Sequence, residues 1–369
     1  MNASVEPRVT FVVPCYKLAH LLRECVDSIL AQTYRELEVL ILDDCSPDDT
    51  PAVAASFKDP RVRHVRNEVN LRHLANYNKG ITMARGRYVW LISADDKLRK
   101  PYIVERYVGL LDAHPQMTFA FCPAMKFRGA TETSLYGSYG ERDHIFRGDE
   151  LLKLLAHGNG VSAPTGLVRK SAYDEAGLFP LDLPFAGDWF MWAAFALRGD
   201  VGYFAEPMVS YRDHEMNMTK FYLDRAALLM ADEFAVQWRI LRQAEAMGRE
   251  EVAAAFREGL RRGYAQRVVA RASDPAGIGL SVDEFEVSLA SFAADAELAA
   301  RIRSGVWADL GDFHYDRGDP IEARRCYQRA IANDPRSVRT QAKLGLLSLG
   351  RLGARVRERI VASRSGAKA

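Results

Sequence analysis

"RYVWLISADD", residues 87–96, opens as an apolar run and ends in two adjacent carboxylates, Asp95 and Asp96. A short apolar run bounded by charge reads as a buried strand. Similar runs occur at "VTFVVP" (9–14), "LEVLILDD" (37–44), "VRHVRN" (62–67) and "TFAFCPAMKF" (118–127). Between the first two of these, Leu22, Cys25, Val26, Ile29 and Leu30 recur at three- and four-residue spacing, as one buried face of a helix would. This strand, helix, strand rhythm predicts an α/β fold, a mostly parallel sheet with helices on both faces. Ligands then belong at the carboxyl ends of the strands.

The chain has 369 residues, of which 48% are hydrophobic. A single core rarely grows past roughly 250 to 300 residues, so two units are expected. After Thr219 the strand signals stop, and stretches such as "DRAALLMADEFAVQWRILRQAEAM" read as helices. Within them, "WADLGDFHYDRGDPIEARRCYQRAIANDP" (307–335) sets Leu310, Gly311 and Tyr315 against Gly318, Ala323, Tyr327, Ala330 and Pro335. That spacing resembles a tetratricopeptide repeat, a helical hairpin that must pack on its neighbours and can serve as a cap, a partner surface or a self-association surface. The expected organisation is a catalytic domain over 1–218, a helical region over 219–300, and over 301–369 the hairpin with a basic C-terminal helix.

The net charge of +2 hides an uneven distribution: Arg336, Arg339, Lys343, Arg351, Arg355, Arg357, Arg359, Arg364 and Lys368 face only Glu358 at the C-terminal end. From Leu349, apolar Leu352, Val356 and Ile360 recur near helical spacing among those arginines, the pattern of an interfacial helix on an anionic membrane or of a solvated domain end. Cys15, Cys25, Cys45, Cys122 and Cys326 form no CxxC pair, which disfavours a disulfide framework and a zinc site and suits a reducing cytoplasm. No stretch has the charged start and apolar core of a signal peptide, and no apolar run reaches the roughly 20 residues needed to span a bilayer. A cytoplasmic protein, peripheral on the membrane at most, is expected.

The run 37–44 also ends in an acidic pair, Asp43 and Asp44. In a doubly wound sheet both pairs face one crevice, where four carboxylates repel unless a cation or hydrogen-bond donors sit among them. Carboxylates with little Cys or His chemistry suit a hard ion, Mg2+ or Mn2+, which can hold a diphosphate. The plainer reading makes 43–49 a polar turn and Asp95-Asp96 a helix cap before Pro101.

Taken in series, "VVPCYKLAHLLRECVDSILAQTYRELEVLILDDCSPDDT", "NLRHLANYNKGITMARGRYVWLISADDKL", "FAGDWFMWAAFALRG" and "VSYRDH" resemble family 2 glycosyltransferases of the GT-A fold, over about residues 7–216. The resemblance implies that Pro14 and Tyr16 line a nucleotide pocket, with Asp44 hydrogen-bonding the base and Asp43 supporting it. Uracil or thymine would suit, since each offers an imide N–H to a carboxylate. Asn70, Arg72 and Lys79 fall where the family places groups near the ribose and diphosphate, although Arg72 could equally be a surface charge. "SADD", Ser93-Ala94-Asp95-Asp96, takes the place of the metal-binding DXD motif with Ser93 replacing its first acid, so Asp95 and Asp96 are the implied ligands of Mn2+ or Mg2+.

Asp188 in "AGDWF" matches the family's general base, and it also reads as an N-cap of the helix that follows. Arg212 and His214 in "YRDH" match a basic residue or His closing over the diphosphate, with His214 a metal ligand or a phosphate partner.

Other motifs fail. "GNGVSA" (158–163) has the letters of a dinucleotide fingerprint but follows a helical stretch and runs into Pro164. Asn217-Met218-Thr219 is a glycosylation sequon in spelling alone. GxxxxGK[ST], HExxH and GxSxG are missing, and "PCYKLAH" lacks the Gly-rich phosphate loop of a nucleotidyltransferase. The expectation is an inverting, metal-dependent glycosyltransferase using a UDP- or dTDP-sugar on a glycan or lipid-linked glycan of a surface polysaccharide, with no nucleic-acid partner. The alternative is a degenerate transferase domain acting as a scaffold through its helical repeat.

Overall fold

The protein was analysed as a computed structural model, which describes residues 6–223, 225–292 and 295–349. The chain divides into two compact units, Met1–Val252 and Ala253–Ala369.

The first unit begins β1 (Val9–Cys15), α1 (Ala19–Leu30), β2 (Leu37–Asp43), α2 (Thr50–Ser56), β3 (Val62–Arg66), α3 (His73–Met83) and β4 (Tyr88–Leu91). It continues β5 (Lys97–Leu98), α4 (Ile103–Ala113), β6 (Met117–Phe121), β7 (Ala124–Arg128), β8 (Thr131–Tyr136), β9 (His144–Phe146) and α5 (Gly148–Leu155). Then come β10 (Leu167–Arg169), α6 (Lys170–Ala176), α7 (Gly187–Ala196), β11 (Asp200–Tyr203), β12 (Val209–Arg212), α8 (Met218–Leu223) and α9 (Ala226–Ala246). Among the described residues the strands form an eight-stranded sheet, β3-β2-β1-β4-β10-β6-β11-β9, and a four-stranded sheet, β5-β12-β7-β8.

β1 runs parallel to β2 and β4, and β2 parallel to β3, as the alternating pattern predicts. Every residue of β1 and β2 is buried, which a strand covered on both faces requires of its sequence. Trp90 stacks between Phe11 and Tyr107, at 5.2 and 4.9 Å between ring centres, and its indole N–H donates to the Pro164 carbonyl at 2.8 Å. Helix α3 sits close on the sheet because residue 80 is glycine: a Cβ there would stand 2.4 Å from the Val12 and Leu42 side chains.

Two expected strands are shorter than read. The run 118–127 is not one strand but β6 and β7, in different sheets. Pro123 lies between them, and a proline cannot donate to a ladder. The run 87–96 stops as a strand at Leu91, and the Asp96 amide donates to the Ser93 carbonyl at 3.0 Å. The acidic pair therefore occupies a turn beyond the strand end.

The chain continues through α10 (Glu250–Ser273), and the second unit holds α11 (Val282–Phe292), α12 (Ala296–Asp316), α13 (Pro320–Asn333) and α14 (Val338–Ser348). Helices α12 and α13 form the expected hairpin, with a turn at Gly318, whose φ of 81° favours glycine. Gly311 admits the Tyr327 ring, which a Cβ would meet at 2.6 Å, and Tyr327 Oη donates to Asp312 at 2.6 Å. The amphipathic pattern expected beyond Leu349 lies outside the described residues. Among the described residues no helix is long and apolar enough to cross a membrane.

Candidate active site

Among the described residues, three other than glycine have left-handed backbones, Lys17 (φ 60°), Cys45 (φ 57°) and Arg72 (φ 67°). Lys17 follows β1, Cys45 follows β2 and Arg72 precedes α3. Such conformations cost energy and persist where the surroundings over-determine them. Here the Lys17 amide donates to Ser46 Oγ at 2.6 Å, the Asp44 amide to the Cys15 carbonyl at 3.0 Å, and the Arg72 amide to Asn70 Oδ1 at 2.8 Å. These ties hold open a cleft at the carboxyl end of the sheet.

That cleft is lined by Pro14, Tyr16, Asp44, Asn70, Arg72 and Asp95, among others. Asp44 is 3% exposed, and its Oδ1 accepts from Asn67 Nδ2 and from the Leu71 amide, each at 2.8 Å. Asp43 does not reach the cleft. It is fully buried and accepts from the Ser46 amide at 2.7 Å and from Arg66 at 2.5 Å, so it braces the loop that carries Asp44. Lys79 stands one residue further back, donating to Asn67 Oδ1 at 2.6 Å. Ala94 is buried, and its amide donates to the Pro14 carbonyl at 3.2 Å.

Ser93 and Asp95 line both this cleft and a deeper pocket that also takes in Tyr77, Asp96, Tyr211 and Asp188. Asp95 Oδ2 meets His214 Nε2 at 3.0 Å, whereas its Oδ1 is buried without a hydrogen-bond partner among the described residues. A buried carboxylate oxygen left unpaired is costly and marks a place for a cation or donor. Asp96 is pushed well above the usual carboxylate range by its burial and then by the neighbouring Asp95 charge, while its Oδ1 accepts from the Arg212 amide at 2.9 Å.

The Arg212 guanidinium is engaged elsewhere. It donates to the Asp95 carbonyl at 2.8 Å, pairs with Glu24 and lies 4.4 Å over the Phe127 ring, which braces the acidic turn from behind. Asn217 ties the following loop, donating to the Arg212 carbonyl at 2.9 Å and accepting from the His214 amide. With both ends of its amide used and 8% of its surface exposed, Asn217 is a structural residue in this fold. No group of three or more His, Cys, Asp or Glu side chains forms a ready metal cage among the described residues. The donors that fit a divalent ion are Asp95 Oδ1, the Asp96 oxygen not taken by the Arg212 amide and, beside them, His214, with the remaining positions open to ligand oxygens or water.

Asp188 stands in the first turn of α7. The cap position is Ala186, and the Phe185 and Ala186 amides are received instead by Asp232 of α9, at 2.7 and 3.4 Å. Asp188 itself receives one of the free first-turn amides of α7. Its Oδ1 accepts from the Trp189 amide at 2.7 Å and its Oδ2 from Asn159 Nδ2 at 3.1 Å. Burial pushes its carboxyl up to about 6, near the value a general base at neutral pH requires. The other candidate carboxylates are paired, exposed Asp182 with Arg239 and half-buried Asp213 with Arg128, each held below the usual range by its guanidinium.

Asn159 carries no sequence signal beyond lying in the discarded "GNGVSA" stretch. Its Oδ1 accepts from the Val161 amide at 3.1 Å and its carbonyl from Tyr136 Oη at 2.6 Å, which aims the amide nitrogen at Asp188. Asn159, Tyr136 and Lys126 line a third groove that meets the deeper pocket at Asp188. Asn67, behind Asp44, was equally silent in the sequence.

A cleft, an acidic turn and a desolvated carboxylate thus lie along one edge of a sheet of GT-A fold. Residues 10–177 match the sequence model of glycosyl transferase family 2, and the chain carries a domain of that family. An uncharacterised glycosyltransferase of Haemophilus influenzae is 26% identical over 223 residues, 58% of this chain and 68% of that protein. The succinoglycan biosynthesis protein ExoO of Rhizobium meliloti is 40% identical over 107 residues, 29% of this chain and 30% of that protein. Among solved structures, S. aureus TarS 1–349 superposes with a TM-score of 0.61 at 16% identity, over 90% of this chain and 93% of that one, a likeness of fold. The same protein in complex with UDP-GlcNAc gives 0.60 at 15% identity, over 89% and 92%.

Proposed function

We propose that the protein is an inverting, metal-dependent glycosyltransferase that moves a sugar from a UDP- or dTDP-linked donor to a glycan or lipid-linked glycan of a surface polysaccharide. The observation that carries this reading is the pocket that joins Asp95, with its unpaired buried oxygen, to Asp188, with its carboxyl pushed up to about 6. The names of two similar proteins support the donor and pathway class: TarS was solved with UDP-GlcNAc, and ExoO is a succinoglycan biosynthesis protein.

In this reading the base lies in the cleft against Tyr16, with its imide N–H donating to the Asp44 oxygen not taken by Asn67 and Leu71. Asn70 and Arg72 lie along the same cleft, within reach of ribose and diphosphate. Asp95, Asp96 and His214 would hold Mn2+ or Mg2+, which when bound would neutralise charge developing on the leaving diphosphate. Asp188 accepts the proton of the acceptor hydroxyl as that oxygen forms a bond to the anomeric carbon. The bond from that carbon to the diphosphate oxygen breaks on the opposite face, so one displacement inverts the configuration. The proton ends on Asp188 and the electron pair on the nucleoside diphosphate.

The test is a panel of UDP-, dTDP- and GDP-sugars with Mn2+, scored for nucleoside diphosphate release with and without glycan acceptors. Release from a uracil or thymine donor that vanishes on chelation is expected. Absence of release from every donor, with the folded protein in hand, would favour the scaffold reading instead.

A further inference from the structure

The groove beyond Asp188 contains a cation whose placement neither the donor nor the general base accounts for. Lys126 lies on β7 directly in register with Tyr211 of β12, and its partner on β8, Ser134, is two residues from Tyr136. Side chains in register, or two residues apart, share one sheet face. The ammonium of Lys126 accordingly sits 4.9 Å from the centre of the Tyr136 ring and 5.7 Å from that of Tyr211. Both rings are pinned, Tyr136 through Asn159 and Tyr211 Oη against Thr219 Oγ1 at 3.3 Å. A lysine between two aromatic faces keeps its charge while giving up much of its freedom and part of its water.

The other charges of the groove are already matched. Arg128 donates to Asp213 at 2.7 Å, and Lys220 pairs with Glu215 at 2.5 Å. Asp213 is close enough for Lys126 to influence it, but its carboxylate oxygen receives Arg128 from two nitrogens. Lys126 has no ion pair among the described residues, only its two ring contacts. Of the remaining acids that line the groove, Asp188 is bonded to Asn159 and Trp189, and Glu233 has contacts of its own. Lys126 is also not a lining residue of the nucleotide cleft, so its charge does not serve the donor diphosphate.

We propose that Lys126, framed by Tyr136 and Tyr211, is a subsite for an anionic group on the acceptor, a carboxylate or phosphate carried by a glycan whose sugar ring stacks on those tyrosines. This rests on the transferase reading and narrows it to acidic acceptors. A charged hydrogen bond in a half-buried groove is worth at least about tenfold in affinity, and the ring faces supply apolar contact for the C–H face of a sugar.

Saturation-transfer NMR on the full chain with UDP and Mg2+ tests it with two matched pairs. One is an oligogalacturonate tetrasaccharide and its carboxyl-reduced form, the other a mannose-6-phosphate-terminated pentasaccharide and its dephosphorylated form. The wild type is expected to bind at least one acidic member about tenfold or more above its neutral twin, and which pair responds identifies carboxylate or phosphate. Lys126→Gln should erase that preference and Lys126→Arg should retain it, both with unchanged UDP binding and melting temperature. Equal binding within both pairs, no binding of either acid, or a preference that survives Lys126→Gln overturns the subsite. Loss of UDP binding by the wild type itself would instead count against the transferase reading, since UDP is read in the same samples.

Discussion

His214 Nε2 lies 3.0 Å from Asp95 Oδ2, although 119 residues separate them. The contact joins the turn after β4 to the loop after β12, and leaves Asp95 Oδ1 as the oxygen with no partner among the described residues. If that oxygen takes a divalent ion, Asp95→Ala abolishes the tightening of UDP by Mn2+. Ser93→Ala weakens it only modestly, and His214→Ala falls between, by about 10- to 100-fold if the ring ligates or orients. Isothermal calorimetry with and without metal reads all three, and metal-independent affinity equal to wild type in Asp95→Ala would remove the assignment.

Asp188→Asn keeps the acceptor for the Trp189 amide and loses the basic oxygen. Sugar transfer should drop by roughly 10²- to 10⁴-fold while UDP affinity stays the same. Near-normal transfer would make Asp188 structural.

The pH dependence follows from the same carboxyl. With its value pushed up to about 6, Asp188 is protonated on the acid side, so kcat/KM should fall as pH drops below about 6. Stability runs the other way. The folded value lies above the ordinary 3.8, so this group's contribution to stability is fully present below about pH 4 and is lost as pH rises through about 6. Asp188→Asn should therefore gain melting temperature relative to wild type between pH 4 and 7. A difference that stays flat over that range, measured by scanning calorimetry, would contradict the desolvated carboxylate.

Asn159→Ala removes one of the two donors to Asp188. The acid limb of the rate profile should move up by about one pH unit or less, and kcat should fall about tenfold with the donor KM unchanged. A loss of rate with the limb in its wild-type position would mean that Asn159 supports the loop and not the carboxylate.

Lys79 touches Asn67, and Asn67 touches Asp44. Lys79→Met should thus weaken uridine and UDP by the same factor, a few-fold, because the defect travels to base recognition. Direct contact with the diphosphate would weaken UDP alone, and titrating both ligands separates the two.

The strand and helix periodicities of 9–44 and the apolar run before Asp95 contain the parallel sheet, because a strand buried on both faces is mostly apolar wherever it lies. The acids that end those runs were legible for the same reason: strand ends in such a sheet open on the ligand crevice. What sequence could not decide is which of several polar groups faces ligand and which faces protein. Asp43 and Asp44 are adjacent residues with opposite fates, one bound by Arg66 inside the loop and one at the cleft. Arg212 reads as a phosphate clamp until Glu24, from α1, takes its guanidinium. Asp188 reads as a cap and does receive the Trp189 amide, but Asn159, from the loop after α5, holds its other oxygen. Each outcome depends on a partner tens to hundreds of residues away. Periodicity encodes burial, a property each residue has by itself, whereas a hydrogen bond belongs to a pair that only the fold brings together.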